Sequence, residues 1–211
     1  VKGLCVMDVD GTLILEEVID LLGREAGREE EISLITSRAM RGELDFESSL
    51  RKRVSLLEGL PVSVFDKVFN SIHLTPNAQE FISILQKNGI LVGLLSGGFT
   101  PIVARLAKSL GIAYFSANQL EVKEGLLTGK LVGQIINPEV KKDTLEQWRE
   151  ELKLSKDRTV AIGDGANDLL MLKSAGLGIA FCAKEVLKQE IPNHVDKRDF
   201  LEVLSLIDCL E

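Results

Sequence analysis

Residues 5–13 read CVMDVDGTL, and the order of those letters sets up a contradiction. Leu4, Cys5, Val6 and Met7 form an unbroken apolar run, and Asp8 and Asp10 then put two carboxylates at its end. A short continuous apolar run bounded by a turn signal reads as a fully buried strand, here expected over residues 3–8. A carboxylate buried without a partner is expensive. The two features are compatible if the strand lies inside a sheet and its last residues emerge at the sheet's edge. Ligands of open parallel sheets bind at that edge, beyond the carboxyl ends of the strands.

The next comparable apolar run is GILVGLLS, residues 89–96, with the strand expected over 90–95. The long intervening stretch has helical spacing: Val18, Leu21 and Leu22 form one stripe, Ile32, Leu34, Ile35 and Met40 another, and Leu50, Val54, Leu57 and Leu60 a third. A single crossover between parallel strands is usually far shorter. Residues 14–72 are therefore expected to form a mostly helical cap inserted in a core made of residues 1–13 and 73–211. From Thr75 onward, helices and continuously apolar strands alternate. A helix through Ala78, Phe81, Ile82 and Leu85 leads to the second strand, and one through Ile102, Leu106 and Leu110 leads to IAYFSAN. NQLEVKEGLLTGKLVG suggests a hairpin, and a helix over 145–152 precedes the strand TVAIG. A helix over 168–173 and the strand GIAF follow. Such alternation predicts an α/β fold, a parallel sheet covered by helices on both faces.

Composition agrees with a compact protein: 45% of the 211 residues are hydrophobic and only five are proline. Net charge is −7, from 25 basic and 32 acidic residues, with no basic stripe of the kind that marks a nucleic-acid surface. No apolar run reaches the roughly 18 residues of a membrane span. No signal-like segment opens the sequence, and a cytoplasmic location is the expectation. The three cysteines, Cys5, Cys182 and Cys209, have no metal-knuckle spacing. Cys5 and Cys182 lie in apolar runs and read as small buried hydrophobes.

Three expected strand ends share one peculiarity. The first carries Asp8-Val9-Asp10-Gly11-Thr12, the second Ser96-Gly97-Gly98-Phe99-Thr100, and a later one Gly163-Asp164-Gly165-Ala166-Asn167-Asp168. Each alone reads as a capped turn; together they read as one polar pocket. Asp8, Asp10, Asp164 and Asp168 crowded there would repel one another and raise their pKa values. A divalent cation relieves that repulsion, and hard oxygen donors beside a phosphate suit Mg²⁺. Ser96 and the glycine amides offer donors to an anion. Lys141 offers a positive charge, although a lysine beside Lys142 more commonly faces water. Asp8 could then act as nucleophile and Asp10 as acid and base. The P-loop and dinucleotide fingerprints are absent, and His73 and His194 stand without catalytic company.

DVDGT, SGGFT, Lys141 and GDGAND resemble, in order, the four motifs of the haloacid-dehalogenase-like phosphatases. GELDFESSLRKRV, NQLEVKEGLLTG, AGLGIAFCAK and KRDF extend the resemblance over nearly the whole chain, towards the members that act on phosphoserine. The resemblance implies a Rossmann-like core with a helical cap. It also implies Mg²⁺-dependent hydrolysis of phosphoserine to serine and phosphate through a phosphoaspartate, the last step of serine biosynthesis. By the same resemblance Asp8 is the nucleophile and a metal ligand, Asp10 the acid/base and backbone metal ligand, and Asp164 the remaining metal ligand. Asp168 supports the site, Ser96, Gly97 and Asn167 bind substrate, and Lys141 neutralises charge.

Glu17 and Arg53 match the residues for the amino and carboxylate ends of serine, opposite charges suited to a zwitterion. Met40 and Phe46 match residues that shape the pocket. Gly11 departs from the pattern, because many such members have serine there; this bears on the choice of substrate. A phosphatase or phosphotransferase for phosphothreonine or phosphohomoserine is the neighbouring alternative, since one methyl or methylene is weakly discriminated. A non-catalytic phosphate-binding module is the alternative of another class. The expected partner is a small phosphate monoester, with neither nucleic acid nor membrane, for a monomer or homodimer.

Overall fold

The structure, a computed structural model, describes residues 1–207. Strand β1 (Gly3–Met7) is followed by helices α1 (Val18–Glu25), α2 (Glu29–Met40), α3 (Phe46–Ser55) and α4 (Val64–Phe69). The chain then alternates: α5 (Ala78–Lys87), β2 (Ile90–Phe99), α6 (Thr100–Ser109) and β3 (Tyr114–Lys123). Strand β4 (Leu126–Val132), α7 (Pro138–Glu151), β5 (Thr159–Gly163) and α8 (Leu169–Ser174) come next. Strand β6 (Leu177–Phe181), α9 (Glu185–Lys188), β7 (Asn193–Val195) and α10 (Leu201–Ile207) complete the described chain. Cys209 lies outside the described residues.

The sheet order is β4-β3-β2-β1-β5-β6-β7, which puts β1 at the centre, parallel to β2 on one side and β5 on the other. All strands run parallel except β4, which returns antiparallel along β3 as the expected hairpin. Side chains alternate across a strand, and β1 divides accordingly. Cys5 and Met7 join the large core cluster with Phe81 of α5 and Val103 of α6. Leu4 and Val6 face the opposite cluster, with Leu145 and Trp148 of α7 and Met171 of α8. A strand buried on both faces needs apolar residues at every position, which is why β1 reads as a run and not as an alternation.

Local chemistry sets the element boundaries near the site. β2 extends past its apolar run through Ser96, Gly97 and Gly98 to Phe99, and its register with β3 breaks between Leu95 and Phe99. α7 begins at Pro138, well before residue 145, because the Asn137 side chain accepts from Val140 N at 2.8 Å and proline fits the first helical position. Lys141 is consequently inside the first turn of the helix and not ahead of it. The segments entering and leaving the four-helix stretch pair with each other: Thr75 N donates to Leu13 O at 2.8 Å and Leu15 N to His73 O at 3.0 Å. Cys5 is fully buried, and burial pushes its thiol up to about 12. Cys182 corrects the sequence expectation: it is half-buried, at a left-handed φ of 45° just past β6, where the chain turns out of the sheet.

Candidate active site

Strand ends β1, β2 and β5 lie side by side in the sheet, so the three polar loops meet. At their centre Lys141, fully buried, donates from Nζ to Asp8 Oδ1 and to Asp168 Oδ1, both at 2.7 Å. Asp168 Oδ2 accepts from the backbone amides of Asp164 and Gly165, each at 3.1 Å. Both oxygens of Asp168 are therefore engaged, and the residue braces the loop and the lysine. Thr12 Oγ1 donates to Asp164 Oδ1 at 3.1 Å. Asp164 Oδ2 is buried without a hydrogen-bond partner, and the Lys184 ammonium stands 3.7 Å away.

Asp8, Asp164 and Asp168 each bring a carboxylate oxygen within 4.8 Å of the others, a buried set that could hold a metal ion. Because Asp168 is fully engaged, Asp8 and Asp164 supply the available oxygens. The unpartnered Asp164 Oδ2 in a dry, acidic setting fits a hard divalent cation, as oxygen donors do. The acidity of the site points the same way. Burial, with repulsion from Asp164 and despite Lys141, pushes Asp8 up to about 7. Burial and the neighbouring Asp8 push Asp10 up to about 7. Asp164 and Asp168 rise to about 6, through burial and then repulsion from Asp168 and Asp8 respectively. Burial works against the Lys141 ammonium, but Asp168 and Asp8 outweigh it and hold it above its ordinary value.

A cavity of about 30 Å³ opens from this centre. Of the residues picked out in the sequence, Asp8, Asp10, Glu17, Met40, Phe46, Arg53, Gly97 and Asn167 line it. Asp10 is tied to the start of α1: its Oδ2 accepts from Val18 N at 3.0 Å, and its Oδ1 is buried and unpartnered. Glu17 has its carboxyl pushed well above the usual range, first by burial and then by Asp10, Asp164 and Asp8. Arg53 is 2% exposed and its Nη2 has no partner. Phe46 reaches the second loop only because position 97 is glycine; a Cβ there would lie 2.8 Å from the Phe46 ring.

Ser96 is fully buried, and its Oγ accepts from Gly98 N at 2.8 Å, which leaves the hydroxyl proton to donate. His73 stays apart from the site, against Glu16 at 2.5 Å, and His194 packs on the carbonyls of Lys188 and Ile191. Gly11 has φ 75°, and a Cβ on it would lie 2.5 Å from Asp164 Oδ2. In this backbone a serine at position 11 would force the loop or Asp164 to shift.

Three supporting residues escaped the sequence reading. Asn118, 1% exposed, donates from Nδ2 to Gly97 O at 2.9 Å and accepts from Ile136 N at 2.8 Å, which pins the second loop from β3. Arg198 donates to Gly11 O at 2.9 Å, and Lys184 faces Asp164. Both lie within blocks that resemble the family, but no local pattern marks them. Asn118 likewise opens the block NQLEVKEGLLTG, and its only local signal was a polar residue inside the strand-like run YFSAN.

Comparison with known proteins converges on the same chemistry. A family profile described as haloacid dehalogenase-like hydrolase matches residues 3–176. A phosphoserine phosphatase of Lactococcus lactis is 53% identical over 209 residues, covering 99% of this chain and 97% of that protein. A solved phosphoserine phosphatase complex with bound substrate superposes with a TM-score of 0.95 at 44% identity, over 98% of each chain. A phospho-aspartyl intermediate analogue of phosphoserine phosphatase superposes with a TM-score of 0.94 at 45% identity, over 97% of this chain and 98% of that one. The chain belongs to the haloacid dehalogenase-like hydrolases, within the phosphoserine phosphatase family.

Proposed function

We infer that this enzyme hydrolyses O-phospho-L-serine to L-serine and phosphate through a phosphoaspartate on Asp8, the phosphate-releasing last step of serine biosynthesis. The observation that carries the reading is the shared cavity: Asp8 and the buried Arg53, whose Nη2 has no hydrogen-bond partner, line the same space. A phosphate at one end and a carboxylate at the other is what such a space would accept. Residues 14–72 act as the cap that closes it, and residues 1–13 and 73–211 form the catalytic core.

Lys141 holds Asp8 Oδ1 and so fixes the carboxylate for in-line attack on phosphorus. As the Asp8–phosphorus bond forms, the bond to the seryl oxygen breaks, and Asp10 gives that oxygen a proton. Burial favours the protonated form of Asp10, the form a general acid needs. Asp10 then takes a proton from water as the water oxygen attacks phosphorus, which breaks the aspartyl–phosphate bond and restores Asp8. Ser96 and the Gly97 amide hold the phosphoryl oxygens, with Asn167 beside them. Asp8, Asp164 and the Asp10 carbonyl would hold Mg²⁺, which would supply charge neutralisation for the phosphoryl group.

Glu17 receives the substrate ammonium, and Arg53 receives the carboxylate. Met40 and Phe46 shut out water. Steady-state phosphate release with Mg²⁺ across small phosphate esters tests the assignment. Phospho-L-serine should exceed phosphothreonine and p-nitrophenyl phosphate in kcat/KM, and equal values would overturn it.

A further inference from the structure

Two nitrogens of the buried Arg53 guanidinium have hydrogen-bond partners and the third has none. Nε donates to Ser49 O at 3.1 Å, one turn back on α3, and Nη1 donates to Thr36 Oγ1 at 3.1 Å on α2. Nη2 is the edge without a partner. Thr36 is itself 2% exposed, and its Oγ1 stands 2.8 Å from Asp20 Oδ1 on α1 and 2.9 Å from Ile32 O. A hydroxyl has one proton to give, and an ionised carboxylate draws the stronger hydrogen bond. With that proton directed at Asp20, the Thr36 oxygen turns its lone pairs to Arg53. One residue from each of three helices thus forms the line Asp20–Thr36–Arg53, and neither Asp20 nor Thr36 lines the cavity.

We propose that Thr36 and Asp20 are positioning residues that hold the Nη2 edge of Arg53 towards the substrate carboxylate and thereby set the preference for carboxylate-bearing phosphate esters. This rests on the reading of Arg53 as the carboxylate-binding residue. The interposed hydroxyl has a physical purpose. A carboxylate in direct contact with Arg53 would occupy the guanidinium fork that a ligand carboxylate needs, because such pairs are commonly bidentate. A threonine between the two passes on orientation while it leaves the charge of Arg53 for the ligand. The long side chain of Arg53 loses rotamer freedom when the protein folds and not when the ligand arrives, which strengthens binding.

The test uses Thr36→Val, Thr36→Ser, Asp20→Asn and Arg53→Ala in the full chain, with phosphoserine and with phosphoethanolamine, which lacks the carboxylate. Thr36→Val is expected to raise KM for phosphoserine about tenfold, the scale of one hydrogen bond to a charged group, with kcat within about twofold. Its kcat/KM for phosphoethanolamine should stay near that of the parent. Thr36→Ser should restore the parent KM, and Asp20→Asn should shift KM in the same direction as Thr36→Val. Equal losses on both esters, or a loss confined to kcat, would overturn the proposal. If Arg53→Ala discriminates between the esters and Thr36→Val does not, the relay alone fails. If Arg53→Ala does not discriminate, the reading of Arg53 fails and the relay with it. Should Thr36→Val not fold, Asp20→Asn carries the same comparison.

Discussion

Acidification of the metal-free protein from pH 8 to pH 6 is expected to stabilise it, the reverse of what its paired surface carboxylates would do. Asp8 and Asp10 are raised to about 7, and Asp164 and Asp168 to about 6, from an ordinary 3.8. A group whose pKa is raised by folding contributes stability that is complete below the unfolded value and is lost as pH rises through the folded one. Over pH 8 to 6 the folded chain takes up protons at these sites while the unfolded chain takes up almost none. At about 1.36 kcal/mol per pKa unit, Asp8 and Asp10 each contribute on the order of 1 kcal/mol across the interval and the other two less. The total of about 3 kcal/mol corresponds to a rise in Tm of roughly 6–12 °C for a chain of this length.

The interval ends at pH 6 for a reason. Glu29, Glu43 and Asp45 are held below their ordinary range by Arg24, Arg41 and Ser48 respectively. Their contribution is present above the unfolded pKa and is lost only at more acidic pH. The assay is calorimetric or fluorescence melting with a chelator present, repeated with saturating Mg²⁺. Mg²⁺ should flatten the dependence, because a cation on the ionised carboxylates opposes proton uptake. A chelated protein whose Tm is level or falls between pH 8 and 6 would refute the reasoning, as would an equal rise with Mg²⁺ bound.

Two substitutions probe the site directly. Asp8→Asn should lower kcat on phosphoserine by at least about 10³-fold, as loss of a nucleophile does, while calorimetric titration still detects substrate binding; turnover near the parent rate would exclude Asp8 as nucleophile. Gly163→Ala sets a methyl carbon 2.5 Å from Asp168 Cγ. It should lower the urea midpoint by an amount equivalent to about 1–3 kcal/mol, the usual cost of overpacking, and reduce activity with it; an unchanged midpoint and rate would show that Asp168 moves freely.

The periodicity of the sequence determined the alternating α/β core, and the apolar run before Asp8 determined that β1 would be buried, while its central place came from the sheet order. Both follow from local rules: burial on two faces requires an unbroken run, and a strand end with Asp, Gly and Thr must turn. The acidic strand ends were likewise legible, because chemistry of that kind needs particular side chains at particular points, whereas Glu17 and Arg53 stood out only through the family resemblance. Lys141 shows where local reading stops. Beside Lys142 it has the pattern of a solvated lysine, and only the packing of α7 against the sheet buries it between Asp8 and Asp168. Cys182 erred the opposite way, since an apolar run does not show where the backbone turns out of the sheet. Asn118, Thr36 and Asp20 became visible only in three dimensions. Each works through a partner 16 or more residues away, with Asp20 meeting Thr36, Thr36 meeting Arg53 and Asn118 meeting Gly97. Contacts between elements leave no periodic trace in a sequence, so the sequence determined which chemistry was present and the tertiary structure decided which groups hold it in place.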